Sequence, residues 1–372
     1  METVRFSRSR VALRDAGLLR VSDVKGLATV LGECLLLLAI AWGLSLTSPW
    51  SPAFLVLEVL AGISVFRWFV ILHESGHRSL FTRVGANSVS GHLGSVFCLI
   101  PYYSWRHIHF LHHRWVGVID KDPTQAHLLA LWKAGRVQNT LFRLVWRLWL
   151  PIPFIKFLFE VFWGYPVRPA GIPGHKPARG WFSNAVCVVP HVTAAAVVGP
   201  VAWATYFLPM LVVFYVVIEN MNLPQHSELF PFLSDAHPAP VPFAEQDAFT
   251  RSTHLPDWLG VVLALNFNRH TEHHLFPGVP WYSLNKARRH LRGEGYRQPF
   301  EVPFLGFMWR LRRRDPVEIF RDALPRPLPR PLPAGRAAAG HATVPPATAS
   351  PTTGSSTTAR TAAPARTAGE LP

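Results

Sequence analysis

Charge is scarce in this chain. Only 16% of its 372 residues are Asp, Glu, Lys or Arg, 49% are hydrophobic, and the mean hydropathy is +0.18. Soluble globular domains carry about a quarter of their residues as charged ones. A membrane-embedded unit is therefore the class to test first, ahead of the two soluble domains that length alone allows. Cysteine is nearly missing: Cys34, Cys98 and Cys187 lie in apolar stretches without CxxC spacing. That argues against a disulfide framework or a thiolate metal site and leaves them as small core residues. An HPGG haem motif, a cluster-binding cysteine set and a GxGxxG loop are all absent, so a fused redox domain is not expected. Acidic residues number 22 against 37 basic ones, giving a net charge of +15. The basic residues collect beside apolar runs and in a tail. That pattern fits anionic headgroups or an acidic protein partner better than nucleic acid.

Lys and Arg are missing from two long intervals, Lys25 to Arg67 and Arg179 to Arg251, and these hold the apolar runs. Residues 1–26 form a basic segment with Arg5, Arg8, Arg10, Arg14, Arg20 and Lys25. The run at about 27–46, broken only by Glu33, is too long for a signal-peptide core of roughly 7–15 residues and is expected to stay as a first span. Pro49 and Pro52 mark a short turn before a second span at about 53–72. Two more are expected at about 182–200 and 204–222, turning within Gly199–Pro209. Each approaches the roughly 20 residues that cross a bilayer. Gly91–Tyr103 is too short to cross and Leu141–Trp163 too charged; both read as interfacial or re-entrant segments. By the positive-inside rule both hairpin turns face outward, and the N-terminus, central loop and C-terminal region face the cytoplasm. The expected fold is all-α and membrane-integral, four transmembrane helices in two hairpins, with residues 27–323 as the membrane domain. Residues 324–372, rich in Pro, Ala and Thr, cannot bury a core and are expected to be a disordered tail.

Three histidine groups stand where this topology meets the cytoplasm: His73/His77, His109/His112/His113 and His270/His273/His274. Successive helical side chains are about 100° apart, so positions i, i+3 and i+4 share a face. Each group can aim its nitrogens into one small volume. His107, two residues before His109, points to nearly the opposite face and is excluded as a ligand. A lone HxxxH at a span end is weak, since interfacial histidines produce it often. Two HxxHH copies and one HxxxH on one membrane face are hard to reach by chance, even with 18 histidines. Eight imidazoles exceed the needs of one zinc and match those of two iron ions. His73-Glu74-Ser75-Gly76-His77 also fits HExxH, the zinc protease pattern, but that reading leaves six histidines without a role.

The boxes H73ESGH77, H109FLHH113 and H270TEHH274, the last continued by LFPGVPWYSLNKARRHL, resemble those of the membrane fatty acid desaturase family over roughly residues 27–295. The resemblance implies a four-span fold whose cytoplasmic helical cap holds a histidine-ligated di-iron site, with O2 as co-substrate. It also implies a ninth ligand, His226, between the last span and the third box. Asn268, two residues ahead of His270, is either an orienting partner for a water or ligand ring or a plain turn residue. The implied reaction is oxygen-dependent desaturation of a fatty acyl lipid, with the HxxxH spacing leaning toward acyl-lipid substrates. A hydroxylase or ketolase of a lipid or carotenoid is the nearest alternative. The zinc protease comes next, and a non-catalytic metal carrier, its ligands spread through the spans, is a reading from another class. Electrons must come from a separate, ferredoxin-like donor. The expected location is the plasma (inner) membrane, with the site on the cytoplasmic side.

Further charged residues have readings of their own. Glu33 and Arg67 lie at similar depths on adjacent spans and are expected to pair, whereas Glu58 has no evident partner. Glu219 is either a contact near His226 or an interfacial side chain. Asp120 and Asp122 read as orienting groups and not as ligands. Lys286, Arg288, Arg289, Arg292 and Arg310–Arg314 form a basic collar that suits lipid or an acidic donor.

Overall fold

The computed structural model describes residues 3–322, apart from 127, 130–133, 169–171, 230–231 and 236–237. The expected tail lies outside the described residues. Four helices are long and apolar enough to cross a membrane: α2 (Asp23–Ser45), α3 (Pro52–His77), α8 (Pro177–Val198) and α9 (Pro200–His226). Ser22 and Ser51 open the first two, their hydroxyls accepting from the backbone N–H of Lys25 and Phe54. The helices run past the apolar windows into the polar flanks. α3 reaches His77, so the first box is its last turn, and α9 reaches His226. The second hairpin turns more sharply than expected. Gly199 at φ +90° joins α8 to α9, with Pro200 in the first helical position. Only glycine is at ease there, and proline's fixed φ suits a helix start.

α3 is the central element. It packs against α2, α9 and α4 (Val84–Cys98), and the approach of α9 is set by glycine. A Cβ on Gly62 would stand 2.5 Å from Val213 Cβ and 2.8 Å from the Met210 carbonyl. The core gathers Val65, Phe66, Trp68, Phe69 and Leu72 of α3 with Phe214, Tyr215 and Ile218 of α9. By contrast Leu35, Leu38, Trp42, Val189, Val197 and Val212 face outward, as the hydrocarbon of a bilayer requires. Glu33 and Arg67 do pair across α2 and α3, Nε to Oε1 at 2.8 Å, and Arg67 also donates to the Val261 carbonyl. Glu58 is buried with neither carboxylate oxygen hydrogen-bonded to a side chain.

The remaining helices assemble at the end of the bundle where α3 and α9 finish. They are α1 (Thr3–Asp15), α5 (Tyr102–Trp115), α6 (Arg136–Arg147), α7 (Ile152–Leu158), α10 (Asp257–Ala264), α11 (His270–Leu275), α12 (Trp281–Gly293), α13 (Phe304–Arg313) and α14 (Pro316–Asp322). A two-residue parallel pair, Thr253–His254 with Val302–Pro303, is the one sheet among the described residues. The basic N-terminal segment is part of this cap. Leu13 is buried with Leu275, Leu284 and Leu291, and Phe6 stacks on Phe276 at 5.0 Å. Of the two segments read as interfacial, 91–103 lies within α4 and α5, while 141–163 forms the end of α6, then α7 and a π-helical turn at Phe159–Trp163.

The Gly62 contact predicts that Gly62→Val lowers the stability of the detergent-solubilised protein by about 1–3 kcal/mol, the usual cost of overpacking. Gly32→Val, where a Cβ meets nothing within 4 Å, leaves it unchanged. Thermal unfolding of both variants checks this.

Candidate metal centre

Each histidine box sits on a helix end, and the ends converge. α3 delivers His73 and His77, α5 delivers His109, His112 and His113, α9 ends on His226, and the short α11 carries the third box. Two consecutive left-handed residues, Leu265 at φ +44° and Asn266 at φ +62°, turn the chain into α11. Such backbone costs on the order of 1–3 kcal/mol per residue. It is held here by Asn266, which donates to the Trp281 carbonyl and accepts from Asn285.

The nitrogens form two adjoining sets. His73, His77, His109 and His273 make one; His112, His226, His270 and His274 make the other, each with its ligand atoms within 4.8 Å of one another. The boxes do not map one to one onto the sets, because the second and third boxes each feed both. His113 stands at the junction. Its Nε2 is 3.0 Å from that of His273 and 3.1 Å from that of His109, and its ring stacks on His274 at 4.2 Å. All nine predicted histidines are thus brought together. His107 is elsewhere, its ring nitrogens on the Tyr165 hydroxyl at 2.5 Å and the Pro173 carbonyl at 2.8 Å.

The second set is oriented from outside. His112 Nδ1 donates to Asp122 Oδ2 at 2.7 Å, His226 Nδ1 to the Phe249 carbonyl at 3.1 Å, and His274 Nδ1 to Gln246 Oε1 at 2.9 Å. With Nδ1 protonated in each, the Nε2 lone pairs are left facing inward. Asp122 is held in turn by the N–H and hydroxyl of Thr124. Gln246 also donates to the His113 carbonyl at 2.7 Å, tying the second box to the third. No sequence signal pointed to Gln246, which lies in a 3-10 turn remote from every box. Asn268 makes no hydrogen bond to a histidine among the described residues; its amide donates to the Thr253 carbonyl at 2.9 Å.

The residues present fit a bound metal. Nε2 atoms face each other at 2.9 Å between His77 and His109 and at 2.8 Å between His226 and His270, while both ring nitrogens of buried His73 and Nε2 of His274 have no hydrogen-bond partner. Burial first, and neighbouring histidines second, hold His109, His113, His270, His273 and His274 well below their ordinary pKa of 6.5. Crowded neutral lone pairs that cannot take up protons are satisfied by cations.

Glu74 does not serve as the base of an HExxH protease. Its Oε2 accepts from the Ser79 hydroxyl at 2.8 Å and from the Trp281 backbone N–H at 2.9 Å, so it fastens the first box to the segment following the third. Among the described residues Glu219 bonds no histidine; it is buried and accepts from Arg312 at 2.7 Å. The gathering of the histidines at one end of the bundle also removes the reading of a carrier with ligands spread through its spans.

The sequence profile of the fatty acid desaturase family matches residues 48–304. The chain belongs to the fatty acid desaturase family. As a desaturase it is an oxidoreductase. It is 28% identical over 301 residues, 74% of this chain and 77% of the relative, to the sn-1 oleoyl-lipid 12-desaturase of Picosynechococcus sp.. It is 24% identical to the acyl-lipid omega-3 desaturase (cytochrome b5), endoplasmic reticulum, of Arabidopsis thaliana, over 62% of both chains. It is 25% identical to the sn-2 acyl-lipid omega-3 desaturase (ferredoxin), chloroplastic, of Helianthus annuus, over 68% of this chain and 60% of that one.

Two outcomes follow for this desaturase. Asp122→Asn is expected to weaken metal binding by about 10–100-fold, read by titration of the metal-stripped protein. The pH dependence has a definite sign. The folded-state pKa values of the five histidines lie below the unfolded value of 6.5, so the unfolded chain binds more protons. Stability is then fully present above about pH 6.5 and declines as pH falls below it. Melting curves of the metal-free protein across that range check the direction.

Proposed function

We propose that this desaturase holds two iron ions between its histidine sets and uses O2 to place a double bond in the acyl chain of a membrane lipid. The observation that carries the reading is the pair of adjoining four-histidine sets, with His113 at their junction. The proposed ligands are His73, His77, His109, His112, His113, His226, His270, His273 and His274. Imidazole suits iron, and two irons supply the activation of O2 that removal of hydrogen from an unactivated CH2 demands. In the overall reaction two hydrogens leave adjacent carbons, and with two further electrons and two protons O2 becomes two waters.

The chain's own part is orientation and dryness. Asp122, Gln246 and the Phe249 carbonyl fix three imidazoles. Trp105 and Phe267 pack against His73, with ring centres at 5.6 and 5.4 Å, and Phe69 lies behind both. This aromatic wall excludes water and offers an acyl chain a surface without polar handles, so shape selects the carbon that reacts. The acyl-lipid substrate is supported by the relatives' names and the HxxxH spacing of the first box. Electrons arrive from a separate carrier of the ferredoxin or cytochrome b5 kind. The basic residues flanking the spans support a site facing the cytoplasm, and the proposed location is the plasma (inner) membrane.

Expression in a host with a simple lipid profile tests the reading. Mass spectrometry is expected to find lipids lighter by two hydrogens, with about two irons in each purified chain. His112→Ala abolishes the product, and His107→Ala keeps iron and turnover. Gain of an oxygen atom instead would make the protein a hydroxylase or ketolase, and one zinc per chain with no redox product would sink the proposal.

A further inference from the structure

Among the described residues, a cavity of about 290 Å³ is walled by Arg147, Trp149, Trp309, Arg312 and Arg313. Arg312 is its buried floor. It is neutralised by Glu219, its one acidic partner among the described residues, and lies over the Trp146 ring at 4.3 Å and the Trp149 ring at 5.1 Å. Arg313 lies over Trp309 at 4.3 Å. Among the described residues neither Arg147 nor Arg313 has an acidic partner, whereas nearby Arg143 pairs with Asp315 and Arg314 with Glu228. The cavity thus keeps two uncompensated guanidinium groups between two indole rings.

The helices on either side say what covers it. On α6 and its C-cap, Val137, Leu141, Leu144 and Leu148 are spaced 4, 3 and 4 apart and all are exposed, although Trp146 of the same helix is buried. On α13, Leu305, Trp309 and Arg313 share one exposed face and pass from aliphatic through aromatic to cationic. A leucine stripe left bare, arginines along its flank and tryptophans between them describe helices lying in a bilayer surface. Both helices are tied to the membrane bundle, since Arg312 of α13 binds Glu219 and Asn220 near the end of α9 and donates to the Trp146 carbonyl of α6.

We infer that this cavity binds the phosphate of an anionic phospholipid headgroup, with Arg147 and Arg313 as its charged contacts and the glycerol and acyl portions lying along the exposed leucines. Guanidinium forks match phosphate oxygens in pairs. A recess of this size admits a headgroup, while an acidic electron-carrier protein needs a broader surface. The site is independent of which acyl chain is desaturated, and it gives the basic collar a specific occupant.

Native mass spectrometry of the full-length protein with dioctanoyl phosphatidylglycerol tests this. One lipid is expected to remain on the wild type, and Arg147→Glu/Arg313→Glu is expected to weaken its binding by about tenfold or more. The control Lys286→Glu, outside the cavity, leaves it unchanged. Should the charge reversals unfold the protein, Arg147→Gln/Arg313→Gln is the milder pair, with weakening in the same direction. Millimolar inorganic phosphate is expected not to displace the lipid. Full displacement would assign the site to free phosphate and overturn the headgroup reading. Unchanged lipid binding in the double variants, with slower reduction by an electron-carrier protein instead, would make this surface a protein dock and equally overturn it.

Discussion

The structure depends on one electrostatic constraint: neutral imidazoles are pressed together, out of water, with their lone pairs turned toward one another. Nε2 atoms at 2.8–3.0 Å across His77/His109, His226/His270 and His113/His273 cannot be left in that state cheaply, because buried polar atoms need partners. The arrangement is tolerable because the outer nitrogens are tied down and the inner ones are placed where they could hold a metal ion. Asp122, Gln246 and the Phe249 carbonyl do the tying in the second set. They belong to two stretches of the chain remote from the third box, the loop after the second box and the 3-10 turn at Phe243–Ala248 with its cap, so the centre is not a property of any one helix.

The membrane bundle supplies the rigid datum for that meeting. α3 and α9 are bolted together where Gly62 lets Val213 close in, and both helices run on beyond their apolar windows to end in histidine. At 1.5 Å per residue, a helix held along its length delivers its last turn to a defined place. Other fastenings repeat the theme. Arg67 links α2 and α3 to α10, and Glu74 links the last turn of α3 to the start of α12. α1 closes over the back of the third box through Leu13 and Phe6. Basic residues around this core serve two physical ends, pairing with buried acids as Arg312 does and meeting the anionic surface of a bilayer as Arg147 and Arg313 do.

Local periodicity made much of this legible in the sequence. The four spans, the three boxes, the Glu33–Arg67 pair and the exclusion of His107 all follow from spacing along one or two neighbouring helices. The span ends did not, because helix length past the apolar window is settled by packing and capping. Arg78 at φ +58°, closing α3, leaves no hydropathy signal. Glu219 shows the limit well. Its neighbours in sequence suggested the histidines or the interface, yet its partner is Arg312, 93 residues away.

Residue identity and spacing by themselves determined that imidazoles would gather at one end of an apolar helical bundle, since hydropathy fixes which segments enter lipid and the 3.6-residue period fixes which side chains share a face. The division of the boxes between two ligand sets, the link from Gln246 to His113 and His274, and the place of Glu74 were decided only by the tertiary structure. These are contacts between elements whose mutual orientation no local pattern encodes. The arc of an HxxHH box is wide enough to serve two neighbouring centres, and which nitrogen serves which depends on where the other helices end.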